Sequence, residues 1–269
     1  MPKINRYIPS SKTLLAVIKK GKQADFKIWL DFFLTRLYFA STNTAIDIMS
    51  GNTAIAGARF FDLGRKIVAV GRNYREHAAE LGNQVPEKPL LFIKPPSSYI
   101  REGTPIKIPK GCSSLHHEVE LGVVIGQRGS DIPEDQAMNY VSGYVLALDM
   151  TARDFQSVAK AKGHPWTMAK GFDTSCPVSD FIPKDKILDP HNLELWLDVN
   201  GVSKQRGTTQ DMIFTLPYLI SYISEYFTLE ANDVILTGTP AGVGPVVSGD
   251  VIKAGIRDIV EYSFRVEQK

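Results

Sequence analysis

In the stretch Leu115-His116-His117-Glu118-Val119-Glu120-Leu121-Gly122-Val123-Val124-Ile125, two acids sit one residue apart where an apolar run begins. Side chains two apart on a strand share a face, so Glu118 and Glu120 project their carboxylates the same way. Like charges held that close repel unless a cation or a shared proton compensates them. A third acid, Asp149, ends the run Val141-Ser142-Gly143-Tyr144-Val145-Leu146-Ala147-Leu148, which reads as another strand. Three hard oxygen donors suit Mg²⁺ or Mn²⁺ and suit Zn²⁺ poorly. The glutamate pair also fits the solvent face of an edge strand. Asp149, charged at the end of an apolar strand, weighs toward a metal.

Other candidates surround this pair. Gly71-Arg72-Asn73-Tyr74-Arg75-Glu76-His77-Ala78-Ala79-Glu80 runs from a strand end into a short helix. There His77 and Glu80, three apart, share a face, and a carboxylate beside an imidazole raises its basicity and fixes its orientation. Arg72, in the same stretch, is a candidate substrate contact. Lys170, in Trp166-Thr167-Met168-Ala169-Lys170-Gly171, lies among apolar and small residues, placed to meet a developing oxyanion or to neutralise the acids. Arg153 and Gln156 follow Asp149 closely and point from a helix start toward the same pocket, or else to the surface. Thr237-Gly238-Thr239-Pro240-Ala241-Gly242-Val243-Gly244 follows an apolar strand and offers backbone N–H groups with two hydroxyls, a cradle for a small carboxylate or a structural glycine turn.

Rival motifs fail. His116-His117-Glu118-Val119-Glu120 is not HExxH, no Pro-Cys-x-x-Cys follows, no Gly-Lys-Ser/Thr closes the glycine loop, and no GxSxG is present.

Strands must position these residues. Strand signals run through Lys66–Val70, Leu90–Ile93, Ile106–Ile108, Val119–Ile125, Val141–Leu148, Leu193–Val199, Asp233–Leu236, Val251–Ala254 and Ile259–Val266. Asn200-Gly201 marks a hairpin turn. Helical patterns are fewer: Tyr74–Leu81 closed by Gly82, Ala152–Lys162 closed by Gly163, and Ile213–Tyr226. Thr151 with Asp154 three residues on has the spacing of a capping box, which sets Asp149 just before a helix start.

A chain of 269 residues with 43% hydrophobic residues can bury a full core. The net charge of +2 is uneven: residues 1–58 hold 8 Lys/Arg against 3 Asp/Glu, leaving 23 against 26 beyond. That slightly acidic body argues against a nucleic-acid surface. Two cysteines, Cys112 and Cys176, make neither a disulfide framework nor a CxxC zinc motif. The apolar stretch near Phe26–Ala40 is interrupted by Lys27, Asp31 and Arg36, so no membrane span is expected. The basic opening has some features of a mitochondrial presequence, against which Asp25 and Asp31 count. A start at Met49 would leave a self-contained domain behind a dispensable extension.

Taken together, GRNYREHAAELG, FIKPPSSY, HHEVELGVVIG, GYVLALDMTARDFQ, WTMAKGFDTSCPV, LWLDVNG and ILTGTPAGVG resemble the blocks of the fumarylacetoacetate hydrolase family, in order, over roughly residues 65–267. The resemblance is greatest to the short acylpyruvase and oxaloacetate decarboxylase branch, known from mitochondria and cytosol. It implies an α+β, predominantly β fold, a mixed β-roll with a few peripheral helices over residues 59–269, with residues 1–58 as an N-terminal extension. It also implies a homodimer, and one Mg²⁺ or Mn²⁺ held by Glu118, Glu120 and Asp149. His77 and Glu80 match the family's lid dyad, Lys170 its enolate-stabilising lysine, and Thr239 or its neighbour its substrate-carboxylate contact.

The expected chemistry is cleavage of 2,4-dioxo acids to pyruvate and a carboxylate. His77, oriented by Glu80, deprotonates a water that attacks the distal carbonyl, and Lys170 helps to stabilise the pyruvate enolate that departs. Oxaloacetate gives the same enolate on losing CO₂, with no attacking water. Proton transfer at C3 would interconvert its keto and enol forms, so a tautomerase is the alternative. A catalytically silent protein that binds 2-oxo acids is a further one.

Overall fold

The computed structural model describes residues 57–76 and 86–269. The presequence and Met49 readings concern residues outside this set, as do His77 and Glu80. The strands, in chain order, are β1 (Ile67–Gly71), β2 (Leu90–Lys94), β3 (Tyr99–Ile100), β4 (Ile106–Ile108), β5 (Leu115–His117), β6 (Val119–Ile125), β7 (Val141–Leu148) and β8 (Thr151–Ala152). They continue as β9 (Cys176–Pro177), β10 (Ile182–Pro183), β11 (Glu194–Val199), β12 (Val202–Thr208), β13 (Val234–Leu236), β14 (Gly244–Val246), β15 (Val251–Ile256) and β16 (Val260–Gln268). Helices α1 (Phe60–Leu63), α2 (Arg153–Lys162), α3 (Thr167–Lys170) and α4 (Leu216–Tyr226) are peripheral.

A six-stranded mixed sheet, ordered β10-β7-β6-β13-β1-β2, and a five-stranded one, ordered β12-β11-β15-β16-β4, form the body. Only β1 with β13 and β16 with β4 run parallel within them. The apolar runs of β6 and β7 are buried along their whole length because both faces of their sheet are covered. On one face, Val119, Leu121, Val123, Leu146 and Leu148 join the main core shared with β11, β15 and β16. On the other, Val124, Val145 and Ala147 pack with Phe60, Tyr99 and Cys176 in a smaller cluster. Alternation along a strand therefore sends Glu120 to the smaller-cluster side, beside Ala147 in the β6–β7 register.

Every strand expected from the sequence is present, with ends shifted by a residue or two. The Asn200-Gly201 turn joins β11 to β12, both residues having positive φ. Helix α2 ends at Gly163, whose φ of 65° is the left-handed value that glycine adopts readily. Two helix expectations need correction. α4 begins at Leu216, three residues later than the apolar period suggests, because Thr215 caps it and Pro217 sits in its first turn. Ile213, outside it, instead donates its N–H to Asn73 O. The capping box at Thr151 and Asp154 does not form: Thr151 belongs to β8, and Asp154 takes hydrogen bonds from Ser113 instead.

Candidate metal and 2-oxo acid site

Glu118, Glu120 and Asp149 converge, with one carboxylate oxygen from each lying within 4.8 Å of the others. The register explains why. Glu118 and Glu120 share one face of the chain entering β6, and β7 returns antiparallel so that Asp149, just past its end, donates its N–H to Glu118 O at 2.9 Å. The edge-strand alternative fails: β6 is an interior strand, and the three acids are 5%, 2% and 1% exposed. Buried carboxylates in contact must be paired, protonated or bound to a cation.

Three basic side chains meet the acids. Lys170, on the last turn of α3, donates to Glu118 Oε2 at 3.0 Å, to Thr151 Oγ1 at 2.7 Å and to Asp149 Oδ2. Burial opposes its charge, but Asp149 and Glu118 outweigh that and raise its pKa. Its ammonium also sits 4.8 Å from the centre of the Phe92 ring. Arg153 donates through Nη2 to Glu118 Oε1 and through Nη1 to Gln156 Oε1 at 2.7 Å. Gln156 therefore holds the guanidinium on the acid. Lys94, wholly buried at the end of β2, donates to Asp149 Oδ1 at 2.7 Å and to the Lys170 carbonyl.

Glu120 is treated differently. Its Oε2 accepts the Gly238 N–H at 2.7 Å, and burial together with Asp149 and Glu118 pushes its carboxyl well above the usual carboxylate range. A divalent cation held by all three acids would relieve that repulsion, and an all-oxygen donor set fits such an ion.

The Thr237–Gly244 loop differs from a cradle of free N–H groups. The Gly238 N–H goes to Glu120, while the Thr237 N–H and hydroxyl both go to Leu121 O, at 3.1 and 2.9 Å. Thr239, 2% exposed, is the next residue after Gly238, whose N–H is on Glu120. Gly238 has a φ of 95°, and a Cβ there would lie 2.8 Å from Asn73 Cβ, so this approach requires glycine. Asn73 closes the arrangement by donating to Thr237 O and Phe214 O and accepting from Phe214 N.

The structure thus brings together Glu118, Glu120, Asp149, Lys170, Arg153 and Gln156, with Thr239 alongside. Arg72 follows the end of β1 with a φ of 61°, and its charge bears on Lys160. Sequence reasoning missed Lys94, Asn73 and Thr151 as supports. Lys94 carried a usable signal, since it is a lone charge ending the apolar run Leu90–Ile93, as Asp149 ends its own.

A mixed β body with a buried all-carboxylate cluster faced by lysines defines the class: the chain belongs to the fumarylacetoacetate hydrolase family. Residues 66–267 match the family described as fumarylacetoacetate (FAA) hydrolase C-terminal. Among its relatives, the mitochondrial oxaloacetate decarboxylase of Dictyostelium discoideum is 63% identical over 199 residues, 74% of this chain and 91% of that protein. The human mitochondrial oxaloacetate tautomerase FAHD1 is 56% identical over 211 residues, 78% and 96% of the two chains. The crystal structure of fumarylpyruvate hydrolase from Pseudomonas aeruginosa in complex with Mn²⁺ and pyruvate is similar with a TM-score of 0.73, at 35% identity, covering 77% of this chain and 91% of that one.

Proposed function

We propose that this protein acts on short 2-oxo acids through a stabilised pyruvate enolate, cleaving acylpyruvates to pyruvate and a carboxylate and decarboxylating oxaloacetate at one site. The observation that carries this reading is the buried Glu118, Glu120 and Asp149 cluster with Lys170 against it. Those three residues would hold Mg²⁺ or Mn²⁺, which when bound supplies Lewis acidity toward the 2-oxo carboxylate. Lys170 offers a fixed N–H where negative charge grows on the enolate oxygen, in a site shielded from water. Arg153, anchored by Gln156, and the Thr239 hydroxyl would orient the substrate, with Arg72 nearer the rim. His77 and Glu80 would move the proton: from water for acylpyruvate cleavage, and onto C3 of the enolate after decarboxylation.

Charge favours a dianion. Lys94, Lys170 and Arg153 pair with Asp149 and Glu118, and they equal the three acids in number once a bound cation holds Glu120 ionised. A divalent cation would therefore leave about two positive charges in surplus, matched by the two carboxylates of oxaloacetate. Oxaloacetate keto-enol tautomerisation is the second reading, supported by the name of the human relative. It needs only the proton transfer at C3 and the enolate stabilisation already described. Both relatives carry mitochondrial names, which supports a mitochondrial matrix location. A homodimer, and a catalytic domain of 59–269 that works without residues 1–58, complete the reading.

Purified protein with Mg²⁺ is incubated with oxaloacetate, enol-oxaloacetate and acetylpyruvate, and enol absorbance and pyruvate are followed. Mg²⁺-dependent conversion of oxaloacetate is expected. Silence on all three substrates would overturn the reading.

A further inference from the structure

β12 runs Val202-Ser203-Lys204-Gln205-Arg206-Gly207-Thr208 at the open edge of the five-stranded sheet, and only Gln205 of it is buried, at 1% exposure. A lone buried amide on a polar edge strand needs partners, and it has four. Its Oε1 accepts from the Val119 N–H at 3.1 Å and meets His117 Nδ1 at 2.9 Å. Its Nε2 donates to Thr239 Oγ1 at 2.8 Å and to Pro240 O at 2.9 Å.

These partners settle which way the amide points. A backbone N–H can only donate and a backbone carbonyl can only accept, so the oxygen must face Val119 and the nitrogen must face Pro240. Since Oε1 offers no hydrogen, His117 must carry its proton on Nδ1. Thr239 Oγ1 then receives a hydrogen from Gln205, which leaves the hydroxyl's own hydrogen to be donated elsewhere. The loop is pressed against β12 at this point: a Cβ on Gly242 would lie 2.0 Å from Lys204 O, and one on Gly207 2.5 Å from Pro240 Cβ.

We infer that Gln205, itself oriented by His117 and the Val119 N–H, is a positioning residue that fixes the Thr239 hydroxyl as a hydrogen-bond donor to the substrate carboxylate. The inference rests on the proposed function. It assigns the five-stranded sheet a part in the site, and the relay starts from His117 and Val119, which flank Glu118 in sequence. The arrangement of acids and the carboxylate-binding hydroxyl are thereby held to one another by a single amide.

The test uses the full chain loaded with Mg²⁺, with pyruvate binding measured by calorimetry and oxaloacetate turnover measured in parallel. Gln205→Met removes the donor at similar volume, and Gln205→Glu replaces the amide nitrogen with a carboxylate oxygen that in its ionised form can only accept, so that Thr239 must turn its hydrogen toward it. A hydrogen bond to a charged group corresponds to about 10- to 100-fold in affinity. Pyruvate affinity should fall by about that factor in Gln205→Glu and less in Gln205→Met. KM for oxaloacetate should rise with it, while kcat and Mg²⁺ affinity stay within about threefold. Thr239→Val should show the same loss, and Gln205→Glu combined with Thr239→Val should lose no more than Thr239→Val alone. Multiplying effects, or unchanged pyruvate affinity in both folded glutamine variants, would overturn the inference while leaving the proposed function intact. If Gln205→Glu does not fold, Gln205→Met and its double variant with Thr239→Val carry the same cycle. Wild-type protein that loads Mg²⁺ yet binds no pyruvate would overturn both.

Discussion

The two large sheets place charge in opposite ways. In the five-stranded sheet, Glu194 pairs with Arg206 at 2.9 Å and Arg257 at 2.7 Å, both arginines being more than half exposed, while the alternate residues Leu195, Leu197 and Val199 go to the core. In the six-stranded sheet, β2, β6 and β7 lead into Lys94, Glu118, Glu120 and Asp149, all buried. The first arrangement costs little and contributes little. The second carries several kcal/mol of desolvation per ion, offset only by close pairing, so a fold that retains it has a use for the field it creates.

The largest expected effect comes from breaking the buried side of this contrast. Glu120→Ala should abolish Mg²⁺-dependent turnover and weaken Mg²⁺ binding by more than about 100-fold, since support residues alone account for about 10- to 100-fold. Full activity of this variant at micromolar Mg²⁺ would remove Glu120 from the ligand set. Next comes His77→Ala, expected to lower acylpyruvate cleavage by a factor of about 10² to 10⁴, the span of a general base. Oxaloacetate decarboxylation needs no activated water, so it should fall less. Equal losses in the two assays would recast His77 as a group that positions substrate.

How far the sequence could be read follows from the same contrast. Alternating and fully apolar runs make the strands plain, and three acids at strand ends point to the carboxylate cluster, because both are local patterns. The Thr151–Asp154 spacing does not reveal that the Thr151 hydroxyl is claimed by Lys170 and Asp149 O, partners that only the fold brings near. The Thr237–Gly244 loop stays open between a carboxylate cradle and a structural turn on sequence alone, since nothing local reveals that Leu121 and Glu120 take its first N–H groups. Gln205 gave no signal: an amide in a polar strand is unremarkable until its burial is known. The apolar period alone runs the last helix back to Ile213, whereas the Thr215 cap and Pro217 set its start at Leu216.

Lys94→Met sharpens the comparison from the basic side. It removes one of the cations on Asp149 while Lys170 remains, so the fold should persist and Mg²⁺ affinity should change by about 10- to 100-fold. An unchanged affinity would make Lys94 a packing residue. Proton release is a related readout. Because burial and neighbouring acids hold the Glu120 carboxyl high, Mg²⁺ competes with a proton there, so binding should release protons in the range of that raised pKa and weaken as pH falls through it. Calorimetry in buffers of different ionisation enthalpy measures this, and a pH-independent affinity with no proton release would contradict it. At about 100 times its dissociation constant, Mg²⁺ should stabilise the fold by about 2.7 kcal/mol, read as a rise in Tm.

The smallest expected effect lies on the exposed side. Glu194→Ala severs two pairs on the five-stranded sheet, yet each is solvent-screened and each arginine keeps its hydration. The cost should be about 1 kcal/mol or less in chemical denaturation, shrinking further in high salt, with kcat and KM unchanged. A loss of several kcal/mol would mean that these ions are as constrained as those around Asp149. The division between an inexpensive charged surface and a costly charged site would then be wrong for this molecule.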